Sequence, residues 1–373
     1  MIKWDVALNN DSLVKRMTYL KKYADLIKEG KIVPDSDLPD VNNHIHTSYS
    51  FSPYSPALAV VKGWKAGLKT LGIMDHDSIS GGKEFINAAR LIGIAVTVGI
   101  ECRVSMKDTP FYDKRINNPD QKGISYVSIY GIPHGEFRRV ESFLKPIRNA
   151  REERNRLMVK NINKKAASSG ISIDYDDDVL PLSKAAEGGG VTERHLLFAL
   201  SKKITKKYGK DKTVDYLKKG LGIPVSEKVE GYLRDVENPY FEYDLLGALK
   251  SNLVSSFYVD ADEECPPLDE FLWFSDKVGG ISAYPYLGDV GNSVTGDKKP
   301  QKFEDDYLDL LFDELKAYGF DAVTFMPTRN TPAQLERLMG YCKENGLFQI
   351  SGEDINTPRQ KFICEALKNP MFS

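Results

Sequence analysis

The sequence predicts an α/β protein, a run of buried parallel strands alternating with helices, on three observations within 41–101. Short apolar runs, Leu71-Gly72-Ile73-Met74 and Ile94-Ala95-Val96-Thr97-Val98, have the length of buried parallel strands and lead into polar tips, Asp75-His76-Asp77 and Glu101. Between and before them, 55–67 and 82–93 carry apolar residues at helical spacing and close on Gly67 and Gly93, where helices commonly stop. The stretch opens with His44-Ile45-His46, and residues two apart on an extended strand point the same way, so two imidazoles face one point. Catalytic groups collect at the carboxyl ends of parallel strands, where His44, His46, Asp75, His76, Asp77 and Glu101 all fall. Imidazoles and carboxylates meeting at one mouth suit a borderline divalent ion: zinc, manganese or iron.

Composition narrows the function classes. A chain of 373 residues can build one large domain with an insertion, or two. The formal net charge of -2 supplies no global field for nucleic acid or anionic lipid, and no nucleic-acid module is recognisable. The four cysteines, Cys102, Cys265, Cys342 and Cys364, form no close-spaced pair, as expected of a reduced, cytoplasmic protein. Met1-Ile2-Lys3-Trp4-Asp5 lacks the apolar core of a signal peptide, and no run reaches membrane-spanning length.

In chain order, 1–40 reads as an N-terminal helical extension, with Leu13, Met17, Leu20, Tyr23, Ala24 and Ile27 at helical spacing and Gly30 closing the run. Packing outside the core is its expected role, ahead of partner binding. The first part of the core spans 41–136: after Glu101 comes a loop at 108–123, rich in Asp, Asn, Pro and Lys, and then a strand at 124–132. His134 follows in a turn. From 137 to 278 the pattern is mainly helical, an insertion. Within it, 138–165 holds ten Lys/Arg against three Asp/Glu, a basic face that is either solvated or a wall drawing phosphorylated substrates inward. Asp174, Asp176 and Asp178 have calcium-loop spacing, but Val179 and Ala185 replace the glycine and the closing acid, which excludes that motif. Gly279-Gly280 marks the return to the core over 279–373, with a helix at 305–318, a strand at 320–325, a helix at 332–345 and a last strand at 347–350. That strand leads into Ser351-Gly352-Glu353-Asp354-Ile355-Asn356.

Three motifs in order, His44-Ile45-His46-Thr47, Met74-Asp75-His76-Asp77 followed by Ser80-Gly81, and Gly99-Ile100-Glu101, resemble the PHP (polymerase and histidinol phosphatase) family of metal-dependent phosphoesterases. The resemblance implies a distorted (β/α)7 PHP barrel with a helical insertion domain and the N-terminal helical extension. It also implies a metal site of His44, His46, Glu101 and Asp354, holding one or two ions. Val191-Thr192-Glu193-Arg194-His195 is similar to the Arg-x-His segment of the family's insertion, which would turn Arg194 or His195 toward a phosphate. The ligand set is degenerate. Phe51 stands where an aspartate would follow the opening motif, Tyr126 and Tyr284 where histidines would stand, and Asn356 where a closing histidine would. Full trinuclear occupancy is therefore not expected.

The resemblance implies a hydrolase releasing phosphate from a small phosphorylated metabolite or nucleotide through a metal-bound hydroxide. His76, Asp75, Asp77, Tyr126, Tyr284, Asn356, Arg194 and His195 are the candidates for handling the phosphate or orienting the metal ligands. Asp77 alternatively caps the helix near 78–82. Two other functions stay open: a degenerate relative that binds a metal or ligand without hydrolysis, and a hydrolase of a different scissile bond.

Overall fold

The structure, a computed structural model, describes residues 2–36, 40–289 and 304–368. The chain opens with α1 (Trp4–Leu8) and α2 (Leu13–Lys28), followed by β1 (Val41–Ile45), α3 (Pro56–Ala66), β2 (Thr70–His76), α4 (Gly82–Ile92), β3 (Ala95–Ser105) and β4 (Ile124–Tyr130). Six helices come next: α5 (Phe137–Ala166), α6 (Glu193–Tyr208), α7 (Lys210–Lys219), α8 (Glu227–Arg234), α9 (Phe241–Phe257) and α10 (Leu268–Lys277). The last third is β5 (Ile281–Pro285), α11 (Leu308–Ala317), β6 (Ala322–Phe325), α12 (Pro332–Asn345) and β7 (Phe348–Ser351).

The expected helices stop and start where their end residues dictate. The Ser55 hydroxyl accepts from the Leu58 amide to cap α3, whose last turn closes on Gly67 at φ 100°. Thr331 and Gln334 form a reciprocal capping box at the start of α12, with Pro332 in its first turn. The N-terminal extension lies against the outer helices: Leu20, Tyr23 and Ala24 are buried in the main core, and the buried Arg16 guanidinium bonds Glu84 of α4 at 2.8 and 2.5 Å.

Seven strands form one sheet in chain order. The β1–β2–β3 and β5–β6–β7 pairings are parallel, whereas β4 runs antiparallel to both β3 and β5. The reversal has a local cause. The β3–β4 connection contains no helix, and without a crossover element a chain returns antiparallel. Beyond β7, Ile355 bridges Ile45: the His46 amide donates to Ile355 O at 3.0 Å and the Ile355 amide to His44 O at 3.1 Å. The sheet thus nearly closes into a barrel, the distorted α/β architecture the sequence predicts.

Two differences from the sequence reading bear on the site. The third strand continues through Glu101 to Ser105 instead of ending before it, which puts Glu101 and Arg103 on one face of β3. The helix expected over 305–318 starts as a 3-10 turn, Asp305–Tyr307.

One apolar cluster packs the outer face of the sheet against its helices, taking in α10 and the first half of α5 through Phe137, Val140, Leu144 and Ile147. A second gathers the later half of α5 with α6 to α9, and Phe51 from the β1–α3 loop joins it. At the seam the chain is very close to the strand tips. A Cβ on Gly190 would lie 2.7 Å from the His76 carbonyl oxygen, while its amide donates to Tyr49 O at 2.7 Å. Only glycine fits there.

Candidate metal centre

Strand alternation selects the site residues. Ile45 and Ile355 are fully buried as a bridged pair, so His44 and His46 on one side, and Asp354 and Asn356 on the other, turn to the opposite face. The cleft they line has a volume of about 580 Å³, within the usual range for small-molecule sites. Ligand atoms of His44, His46 and Glu101 lie within 4.8 Å of one another, and all three residues are buried. His44 Nε2 is 3.7 Å from Glu101 Oε1, and His46 Nε2 is 3.1 Å from Asp354 Oδ1. The four side chains read from sequence as one metal site are thus brought together, Asp354 from the far end of the chain.

Hydroxyl partners set the imidazole tautomers. Ser50 Oγ gives its hydrogen to Asp75 Oδ1 at 2.7 Å, so at 3.3 Å from His46 Nδ1 it accepts, and Nδ1 carries the proton. Tyr130 likewise donates to Thr324 Oγ1 at 3.1 Å and accepts from His44 Nδ1 at 3.2 Å. In the neutral imidazoles both Nε2 lone pairs therefore face the cleft. His46 Nε2 is buried and lacks a hydrogen-bond partner among the described residues. A buried acceptor beside carboxylate oxygens is costly alone and satisfied by a cation, so the donor set fits a divalent metal.

The carboxylates attract positive charge. Burial alone would raise the Glu101 carboxyl, but pairing with a protonated His44, with His76 and His46 adding to it, holds it at about 2, and Glu101 raises His44 in return against burial; a cation would take over that role from the proton. Burial opposes Asp354 as well, yet His46 and His44, when protonated, and Arg194 hold it well below the carboxylate range. Burial lowers His76 to about 3, with His46 and Arg151 adding to the effect against Glu101, so it is neutral at pH 7. His76 Nδ1 is 3.2 Å from Glu101 Oε2, and its ring stacks on His46 with centroids 4.6 Å apart.

The other predicted residues divide. His76, Tyr126, Arg194 and Asn356 line the cleft. Tyr126 Oη accepts from Arg103 Nε at 3.2 Å, and Asn356 Nδ2 donates to Asp354 Oδ1 at 2.6 Å. Asp75 is buried beneath the opening motif, accepting from the Thr47 amide and hydroxyl, both at 2.6 Å, and from Ser50; it shapes the turn that holds His46. Burial raises its carboxyl against these bonds. Asp77 neither lines the cleft nor caps a helix: at φ 52° its carboxylate turns to the Arg151 guanidinium, and Gly81 occupies the N-cap of α4. Tyr284 is turned away because Ala283 takes the barrel interior; its hydroxyl donates to Glu304. His195 is buried in a capping box, accepting the Thr192 amide at 3.0 Å on Nδ1, and burial lowers it to about 3. His134 is exposed in a surface turn, and Asp174 caps a helical turn through the Asp176 and Asp177 amides.

Several contributors escaped sequence reasoning. Beside the predicted Tyr126, the same face of β4 presents Ser128 and Tyr130 at strand spacing, and the three contact Arg103, Glu101 and His44 in turn; Ser128 Oγ donates to Glu101 Oε1 at 3.3 Å. The basic face of α5 is split. Arg138, Arg139, Lys160, Lys164 and Lys165 are exposed, while Arg151 and Arg154 are buried against Glu193 and Glu264 together with Arg103. Arg103 was accessible in principle: it stands two residues after Glu101 on the same strand.

Residues 42–198 match the family model described as "PHP domain". Among solved structures, one from Bifidobacterium adolescentis, provisionally described as a metal-dependent phosphoesterase, shares 20% identity over 88% of this chain and 91% of that chain, with a TM-score of 0.58. An amidohydrolase from Chromobacterium violaceum, solved with bound sulfate and no metal, shares 17% identity over 86% of this chain and 89% of that chain, with a TM-score of 0.57. No curated protein matches the chain. No helix among the described residues is long and apolar enough to cross a membrane. His44, His46, His76 and Glu101, gathered at the mouth of a nearly closed seven-strand sheet, all fall within the 42–198 stretch that matches the PHP domain model.

Proposed function

We propose that the cleft hydrolyses phosphoesters, releasing phosphate from a small phosphorylated metabolite or nucleotide with one or two divalent ions, zinc, manganese or iron. The observation that carries this reading is the pair of imidazoles whose Nδ1 protons are committed to Tyr130 and Ser50, leaving both Nε2 atoms beside Glu101 and Asp354. His44, His46, Glu101 and Asp354 would hold the cation, which when bound supplies charge neutralisation for phosphate oxygens and acidification of water.

The chain's own groups do the rest. Tyr126 stays protonated at neutral pH because burial pushes its phenol far up, and with its oxygen accepting from Arg103 its hydrogen is left for a phosphate oxygen. Arg194 and Lys361 add positive charge to the cleft wall and draw an anionic substrate inward. Neutral His76 can exchange a hydrogen bond with substrate but cannot act as an imidazolium acid near pH 7.

Binding without turnover is the second reading. It is favoured by Phe51, which places an apolar ring where the family has a carboxylate, and by Tyr284, whose hydroxyl points away. Metal analysis of the purified protein, with phosphate release screened in zinc, manganese and iron, separates the two. Bound metal with turnover lost in His44→Ala supports hydrolysis; bound metal without release from any phosphoester supports binding alone.

A further inference from the structure

Three of the four cation-facing side chains stand on or directly beside strands in the sheet, His44 and His46 at the end of β1 and Glu101 within β3. Asp354 does not. It lies three residues beyond β7, in a turn with no ladder of its own apart from the Ile355 bridge. What holds that turn is Gln360, whose Oε1 accepts the Asn356 and Thr357 amides, both at 2.8 Å, and whose Nε2 donates to the Asp354 carbonyl.

The residue before Gln360 reaches across the cleft. Arg359 forks onto Asp244 of α9, Nε to Oδ1 at 2.6 Å and Nη2 to Oδ2 at 2.7 Å, and its guanidinium carbon lies 3.6 Å from the Tyr232 ring centroid. Asp244 is itself fixed: Asn238 Nδ2 donates to its Oδ2 at 2.8 Å, and only 8% of its side chain is exposed. A bidentate, aromatic-backed guanidinium pair is the geometry in which a partly exposed ion pair specifies position and not only charge.

We infer that the Arg359–Asp244 clasp is a positioning pair that couples the seating of helices α8 and α9 over the cleft to the placement of Asp354. With the clasp closed, the 354–360 turn is pinned at both ends, by Ile355 to β1 and by Arg359 to α9. With it open, the turn keeps Gln360, the Ile355 bridge and the bond from the Glu353 amide to Asn42 Oδ1 at 3.1 Å but loses its tie to α9, so the Asp354 oxygen is held less firmly beside His46 Nε2. Cation affinity therefore depends on a contact that touches neither the cation nor any of its ligands. This rests on the metal reading of the cleft given above.

The test is zinc affinity, measured by competition with a chromophoric chelator, alongside thermal melting. Arg359→Met keeps the aliphatic stem and removes the fork; Asp244→Asn keeps the shape and removes the charge. Each is expected to weaken zinc binding on the order of tenfold, the range for groups that orient metal ligands. Because α6 to α9 have their own apolar core, melting is expected to move little. The double reversal Asp244→Arg with Arg359→Asp is expected to recover part of the loss. Wild-type affinity in both single variants overturns the clasp while leaving the metal reading intact. Absence of zinc, manganese and iron binding in the wild-type protein overturns both. If Arg359→Met fails to fold, the Asp244→Asn affinity decides by the same criterion.

Discussion

Phe51 packs edge-on against His195, ring centroids 4.9 Å apart and planes at 87°. Two positions that the family resemblance marks for chemistry are here spent on each other. The β1–α3 loop is pinned by this contact into the apolar cluster of α5 to α9, where Phe51 also meets Phe198 and Tyr243. Phe51→Ala would open a cavity at the joint between barrel and helices, at a cost of about 3–5 kcal/mol. Urea denaturation checks this: the midpoint should fall with little change in slope. A change below about 1 kcal/mol would show that the loop is held from the barrel side alone.

Part of the site was legible because two local periodicities govern it. The two-residue strand repeat aims His44 with His46, and the helix-stop glycines marked the spacing of the first three strands, whereas Asp354 and Asn356 were legible only through the family resemblance. The resemblance also misleads. At β5 it offered Tyr284 to the site, and the interior position falls to small Ala283 beside Met74, Tyr130 and Ala322, a packing constraint no single strand reveals. His195 matched by type, while Thr192 three residues before it already carried the capping-box signal that explains it. Arg151 and Arg154 could not be assigned partners at all, because Glu193 and Glu264 come from remote segments.

Replacing Ser50 by alanine removes the acceptor of the His46 Nδ1 proton but leaves Asp75 its two bonds from Thr47. The imidazole would then be free to place its proton on Nε2, the nitrogen needed for a cation. Zinc affinity is expected to fall roughly 10–100-fold with the fold intact. Unchanged affinity by chelator competition would mean that the tautomer is set without this hydroxyl.

Glu304 gives a pH signature separate from the metal. Burial raises its carboxyl from 4.5 to about 7, outweighing bonds from the Tyr284 hydroxyl and the Gly288 and Leu287 amides. With a folded-state pKa above the unfolded one, its contribution to stability is fully present below about 4.5 and is lost as pH rises through about 7. The loss is on the order of 3 kcal/mol. Glu304→Gln keeps an acceptor for the amides and cannot ionise, so its stability relative to wild type should rise between pH 5 and pH 8. Parallel urea titration curves for the two proteins across that window would contradict the assignment.

Tyr126→Phe separates substrate handling from metal binding. The phenol ring stays beside His76, centroids 5.5 Å apart, and Arg103 keeps Glu193 and Glu264, both at 2.9 Å, so neither the packing nor the buried ion network loses its main contacts. What disappears is one hydrogen-bond donor facing the cleft. A donor that strengthens its bond as charge develops on a phosphate oxygen lowers kcat when removed, by about 10²–10³ for a single group of this kind, with KM and metal content nearly unchanged. Steady-state kinetics with metal analysis on the same preparation reads both quantities. A fall in metal content instead of kcat would place the Tyr126 oxygen on the cation, the role its histidine counterpart has in the family.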